Sequence, residues 1–409
     1  MVYMSLIILE SEVEDMFRKL KLSEIGTIVA GGTPKTKVSE YWNGEISWIT
    51  PKDLSSHNCM YISKGDRSIT EDGLKNSSAK LLPKGAVLFT SRAPIGYIAI
   101  AENEVTTNQG FKSIVVNNKN DNIFVYYLLK NNVNVIENLA SGSTFKEISG
   151  KVMKNLEFNF PSLREQNSIA KVLKSLDDKI ETNNKINNTL ENMVQSIFKQ
   201  WFIDFEFPNE VGDPYRLSGG EMVESKLGMI PKGWEVGLLP DLVTVKYGKD
   251  HKKLSEGDIP VYGSGGVMRY VDKALYTLET VLIPRKGTLN NVLYINEPFW
   301  SVDTMFYTEM IYPNIAKYFY CYMKTKDLLS MNNGSAVPSM TTAILNKFLI
   351  IKSPLEIIQR FNELVGPLFL KMDSNVNENN MLAKTRDSLL PKLMSGEIRV
   401  PLDSEGEAS

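Results

Sequence analysis

Two long stretches of this chain carry apolar residues three and four positions apart, and the second stretch repeats the first at a constant offset of 192 residues. Leu173, Leu176, Ile180, Leu190, Val194, Ile197 and Trp201 form one stripe, and Val365, Leu368, Met372, Leu382, Leu389 and Leu393 form the other. Steps of three and four keep a narrow apolar seam turned toward a partner helix. Both seams are interrupted at matched places: Asn183 recurs as Asn375, and Asn187 as Asn379. Asparagine in a heptad seam costs stability but fixes register and partner. The expected fold class is therefore α+β: two β-rich globular modules separated by two long antiparallel coiled-coil helices, related by an internal pseudo-two-fold repeat.

Residues 1–16 read as a leader, mildly apolar but without the basic start and small-residue cleavage site of a secretory signal. Residues 17–160 form the first module, with strand-like runs Ala86–Thr90, Tyr97–Ala101 and Ser113–Val116 and a helical stretch near Ile123–Asn131. The first long helix occupies 161–206, with Ser162 as N-cap and Glu165 completing a capping box. Unbroken from Arg164 to about Phe205, it spans roughly 60 Å. Residues 207–231, dense in proline and glycine, read as a linker. The second module covers 232–352, with runs Thr280–Ile283, Val292–Ile295 and Leu349–Ile351 and a helical stretch Ile315–Leu329. The second long helix follows at 353–396 and an acidic tail at 397–409. Gly142-Ser143 matches Gly334-Ser335, and Arg92 falls on Arg285, so the repeat includes module and helix together.

Composition narrows the function. No run reaches the roughly 18 apolar residues of a membrane span. The two cysteines, Cys59 and Cys321, lie in different modules, which points to a reducing cytoplasm. With only His57 and His251 as histidines, a zinc site is not expected. A net charge of −2 argues against strong DNA binding by the chain alone. The base-binding Asn-Pro-Pro-Tyr tetrapeptide of adenine methyltransferases is absent, as are a Walker A run and HExxH. No catalytic residue, metal ligand or cofactor is therefore assigned. The Gly263–Gly266 run lacks the GxGxxG order and reads as a turn.

The order of several short motifs carries a resemblance. They are Gly31-Gly32-Thr33-Pro34, Trp48-Ile49-Thr50-Pro51-Lys52-Asp53-Leu54 and Pro161-Ser162-Leu163-Arg164-Glu165-Gln166. Trp201-Phe202-Ile203-Asp204-Phe205-Glu206, Ser218-Gly219-Gly220-Glu221-Met222 and Ile230-Pro231-Lys232-Gly233-Trp234 follow, then Tyr262-Gly263-Ser264-Gly265-Gly266 and Leu390-Pro391-Lys392-Leu393-Met394-Ser395-Gly396. From about residue 17 onward the chain resembles the specificity subunit of a type I restriction-modification system. The resemblance implies two target-recognition domains, each reading one half of a bipartite site in double-stranded DNA, with the helices setting the spacer. It also implies two modification subunits as partners, which methylate adenine, and restriction subunits for cleavage. S-adenosylmethionine, ATP and magnesium are then expected only on those partners. Two other classes stand beside it: a stand-alone methyltransferase-nuclease, against which the missing motifs speak, and a coiled-coil scaffold that binds no DNA.

Within the first module Lys35, Lys37, Lys52, Arg67, Arg92, Lys112 and Lys146 are candidate DNA contacts, and Asn108 and Gln109 could pair with adenine edges. In the second, His251, Lys252, Lys253, Ser264, Arg269, Arg285, Lys286, Asn290 and Asn291 take that part. For any single lysine a solvated surface charge is the commoner explanation. Arg92 and Arg285 lead because each follows a strand, where a fork-shaped donor suits phosphate or guanine; their other explanation is bonding of loop carbonyls. Trp48, Trp234, Trp300 and Trp201 are expected in packed positions and Trp42 in an exposed loop.

Overall fold

The computed structural model describes residues 17–55, 57, 59–142, 146–330 and 339–401. The leader, the end of the tail, and the Gly142-Ser143 and Gly334-Ser335 match (through Ser143, Gly334 and Ser335) lie outside these. The chain divides into two compact units, 1–184 with 375–409, and 185–374. That division passes through both long helices, Leu163–Phe202 and Leu355–Ser395.

In the first module a five-stranded sheet has the order Gly26–Ala30, Lys112–Val116, Val87–Ser91, Ile95–Ala101, Tyr61–Ile62. Its centre, Val87–Ser91, is buried on both faces, as expected for an apolar strand covered on one side by the helix Asn122–Asn131. A three-stranded sheet carries Arg67–Ile69, Trp42–Ile49 and Thr106–Thr107. The second module repeats this plan. Val243–Tyr247, Met305–Met310, Thr280–Pro284 and Leu293–Ile295 form the larger sheet, and Gly266–Val271, Ile259–Gly263 and Trp300–Ser301 the smaller. Helix Ala316–Lys324 stands for Asn122–Asn131, and Thr341 caps Thr342–Leu345 as Ser149 caps Gly150–Lys154. The repeat expected from the helices thus extends to the order of four strands of the larger sheet, the first module adding Tyr61–Ile62 as a fifth, and to that of the smaller sheet.

Each unit contains one end of the helix pair, packed antiparallel. In the first unit Ile169, Ala170 and Leu173 share a core with Leu390, Leu393 and Met394. Farther along, Asn183, fully buried, donates to Glu378 Oε2 at 2.8 Å and Asn379 Oδ1 at 2.9 Å, while Asn379 donates to Asn184 Oδ1 at 2.8 Å. In the second unit Asn187 donates to the Met372 carbonyl at 3.2 Å, and Val194, Phe198 and Trp201 pack with Phe361, Val365 and Phe369. Asn375 is also fully buried. The side-chain amides of Asn183, Asn187 and Asn379 therefore join the two helices by geometry that a shifted register would break. Ser162 accepts from Glu165 N at 3.3 Å, the expected N-cap. Gln166, also buried, accepts from Asp121 N at 3.0 Å and donates to Asn120 and the Pro161 carbonyl, which fastens the helix start to its module.

Four expectations need correction. The first long helix stops at Phe202 rather than about Phe205, because Phe205 turns to φ 61° and buries its ring against Trp234. The segment read as a linker is packed structure: Phe207 stacks between Tyr215 and Trp234 at 4.6 and 5.1 Å, and Met222–Ser225 pairs with Gly228–Pro231. The stretch Ile315–Leu329 is helical only over Ala316–Lys324, since Asp327 accepts from the backbone N–H groups of Leu329 and Ser330 and closes a turn. Trp42 is buried, not exposed, because it begins a strand paired with Ile69 and meets Trp48 edge-on at 5.0 Å.

Candidate nucleic-acid interface

Backbone pairing supplies a residue-level alignment of the modules that loop sequences hide. Gly32 N donates to the Thr107 carbonyl at 2.9 Å, and Lys249 N donates to Ser301 at 2.8 Å. Gly32 and Lys249 are therefore equivalent, and the loops that follow hold Lys35 and Lys37 in one module and Lys252 and Lys253 in the other. Parallel pairing of Trp48 with Thr106 matches that of Val261 with Trp300. Trp48 in turn pairs with Arg67, and Val261 with Arg269, so these two arginines occupy one strand position. Both lie against the lysine-bearing loop. Arg67 stacks at 3.5 Å on Trp42, whose indole donates to the Lys35 carbonyl at 3.3 Å. Arg269 Nη2 donates to the Leu254 carbonyl at 3.2 Å. Lys35, Lys37, Lys252 and Lys253 are all exposed, and Asp250 accepts from the Lys252 backbone N–H at 3.1 Å and feels its charge.

The same alignment corrects the pairing of Arg92 with Arg285. Ser91 N donates to the Gly110 carbonyl as Arg285 N does to Thr304, while Arg92 bridges Glu147 as Lys286 bridges Ser339. Arg285 thus stands where Ser91 stands, and Lys286 where Arg92 stands. A single-residue shift was invisible because both loops carry a basic residue there.

Other candidates are engaged inside the protein. Arg92 and Lys112 share the carboxylate of Glu147 at 3.4 and 3.3 Å, and only 12% of the Lys112 side chain is exposed. Lys52 pairs with Asp66 at 3.3 Å, with both side chains well exposed, a contact of little energetic weight. Asn108 accepts from Gly110 N at 2.8 Å and shapes its own turn, whereas exposed Gln109 accepts from the Thr33 hydroxyl. Arg285 donates to the Asp303 carbonyl at 3.1 Å, the loop-bonding role weighed for it, and lies 5.4 Å from the Tyr247 ring. Asn291 holds the Ser264 carbonyl at 2.8 Å, so the Ser264-Gly265 turn adjoins the loop bearing Lys286 and Asn290. Lys146, Lys286 and Asn290 are exposed, and His251 Nδ1 is buried without a partner among the described residues.

Sequence reading missed one polar cluster on the helices. Arg386 contacts Asp177, each only 16% exposed, and also pairs with Asp387 at 2.7 Å. Tyr127 donates to the second Asp177 oxygen at 2.6 Å. Burial and the Asp177 charge push the Tyr127 phenol far above its ordinary range, so it stays a donor. No helix among the described residues is long and apolar enough to cross a membrane.

Comparison with known proteins bears on what such a surface serves. The family model described as the type I restriction modification DNA specificity domain matches residues 14–192 and 231–366. The MjaIX specificity subunit of the type I restriction enzyme from Methanocaldococcus jannaschii is 36% identical, over 93% of each chain. The HindI specificity subunit of Haemophilus influenzae is 25% identical, over 88% of this chain and 99% of its own. The crystal structure of the type I restriction-modification S subunit from M. genitalium shares the fold, with a TM-score of 0.56 at 20% identity over 92% of this chain and 96% of that one. A twice-built module, a registered helix pair and relatives aligned nearly end to end lead to one conclusion: the chain belongs to the type I restriction-modification DNA specificity subunit family.

Proposed function

We propose that this chain reads DNA for a type I complex without catalysing a reaction itself, each module recognising one half of a bipartite site and the helices setting the spacer between halves. Two modification subunits and, where cleavage occurs, restriction subunits are its partners in the cytoplasm. They supply the S-adenosylmethionine, ATP and magnesium chemistry. The observation that carries this reading is the duplicated constellation: an arginine at one strand position beside an exposed lysine loop, built from different residues in the two modules. Exposed lysines suit phosphates, and the arginine beside them either keeps its donors for a base edge, as Arg67 does, or braces the loop, as Arg269 does. A net charge of −2 leaves little long-range attraction, so tight binding is assigned to the assembled complex.

The test is a methylome of a methylation-free host that expresses this chain with the modification subunit from its own genome. A split motif methylated at adenine, absent without this chain, is the expected result. Co-purification of the two proteins with no new motif would instead favour a scaffold.

A further inference from the structure

We propose that Arg67 is a specificity residue that reads a guanine in the half-site of the first module, with Trp42 holding its guanidinium for that contact. This rests on the module being a DNA reader. Arg67 is exposed, yet its guanidinium lies flat enough on Trp42 to bring its carbon 3.5 Å from the ring centroid, with Trp48 at 5.5 Å. Both indoles are buried and anchored, Trp48 by a 2.9 Å bond to the Gly32 carbonyl and Trp42 by its bond to the Lys35 carbonyl. The platform is therefore rigid, while the arginine above it is solvent-facing.

Stacking uses the face of the guanidinium and leaves its N–H edge unspent. That edge makes no hydrogen bond or ion pair with another described residue. A long side chain that is already oriented loses less freedom on binding. Two parallel donors match guanine, which presents O6 and N7 side by side in the major groove. Adenine offers N7 beside an amino donor, so one donor of the fork would face another. Lys35 and Lys37, on the loop that Trp42 holds, lie where phosphate contacts would fix the module on the duplex.

The second module supplies the contrast. Arg269 occupies the same strand position, but its Nη2 is spent on the Leu254 carbonyl and, among the described residues, no tryptophan stacks on it. Arg269 holds the lysine loop in place and is not assigned a base. The guanine assignment is therefore specific to the first half-site.

The experiment is the methylome of the complex with R67A and R67K, beside the unaltered chain. Arg67 variants are expected to leave one half-site intact, an internal control for folding, and to make a guanine of the other half-site degenerate. Discrimination at that position should fall on the order of tenfold or more. R67K should relax the same position although it keeps the charge. The assignment is overturned if every guanine keeps its specificity in both variants, if R67K restores the full motif, or if methylation weakens evenly over all sites as loss of a phosphate contact would make it. Absence of any motif with the unaltered chain would defeat the DNA-reading assignment itself, a different result from a motif indifferent to Arg67.

Discussion

At the scale of single residues, the strongest constraint on the helix pair outside the asparagines is the Asp177–Arg386 contact with Tyr127. Each charge is nearly enclosed, so removing one partner leaves the other desolvated and uncompensated. Arg386→Met should destabilise the unit that contains it by about 3 kcal/mol, read as a lower urea midpoint by circular dichroism. Adding Asp177→Asn removes the stranded charge and leaves an oxygen to accept from Tyr127, so at least half of the loss should return. If the double variant is no more stable than the single one, packing rather than charge accounts for the effect. Nothing in the sequence marked this pair. At the repeat offset Arg386 coincides with Val194 and Asp177 with Phe369, so the periodicity that revealed the helices passes over a seam contact made differently in the two halves. Trp42 was misread for a related reason: its polar sequence neighbours concealed a strand partner, Ile69, that only the tertiary fold brings near.

At the scale of elements, heptad spacing made both long helices legible, and Pro161-Ser162 marked the first start. Their ends were less legible. No local breaker follows Phe202; the chain leaves the helix because Phe205 and Phe207 gain burial against Trp234, a contact beyond any short window. Glycine and proline between 206 and 231 correctly marked turns but could not distinguish a flexible tether from a packed hairpin. The lysine loops were seen only as separate charges, since their equivalence depends on backbone pairing of Gly32 and Lys249. As paired elements they make a quantitative prediction. Changing Lys35, Lys37, Lys252 and Lys253 to glutamine removes up to four phosphate contacts. The slope of log affinity against log salt should then become shallower by up to about 4 for DNA binding by the methyltransferase complex. The recognised motif should stay the same, because phosphate contacts position without reading bases. An unchanged slope would mean that these loops do not touch the backbone.

At the scale of the whole molecule, the chain is two readings of one plan joined by helices whose register is fixed from both sides. Asn183 with Glu378 and Asn379 fixes it in one unit, and Asn187 with Met372 in the other. Because these amides lie inside the pair, lengthening one helix alone would set them against wrong partners. Lengthening both at facing positions would preserve them. Ile180 lies between the contacts of Asp177 and Asn183, and Met381 between those of Asn379 and Arg386, so the two sites face each other within one unit. One extra turn of four residues after each adds about 6 Å of helix. If the helices set the spacer, the methylated motif should gain one to two base pairs between its halves, given about 3.4 Å per base pair. Neither half-site should change, since neither module is touched. Asparagine pairing is the reason to expect a discrete new spacing rather than a mixture: a sliding pair would average over lengths, whereas a registered one transmits the insertion whole. Methylome sequencing that returns the original spacer from the lengthened chain would show that something other than the helices measures the distance.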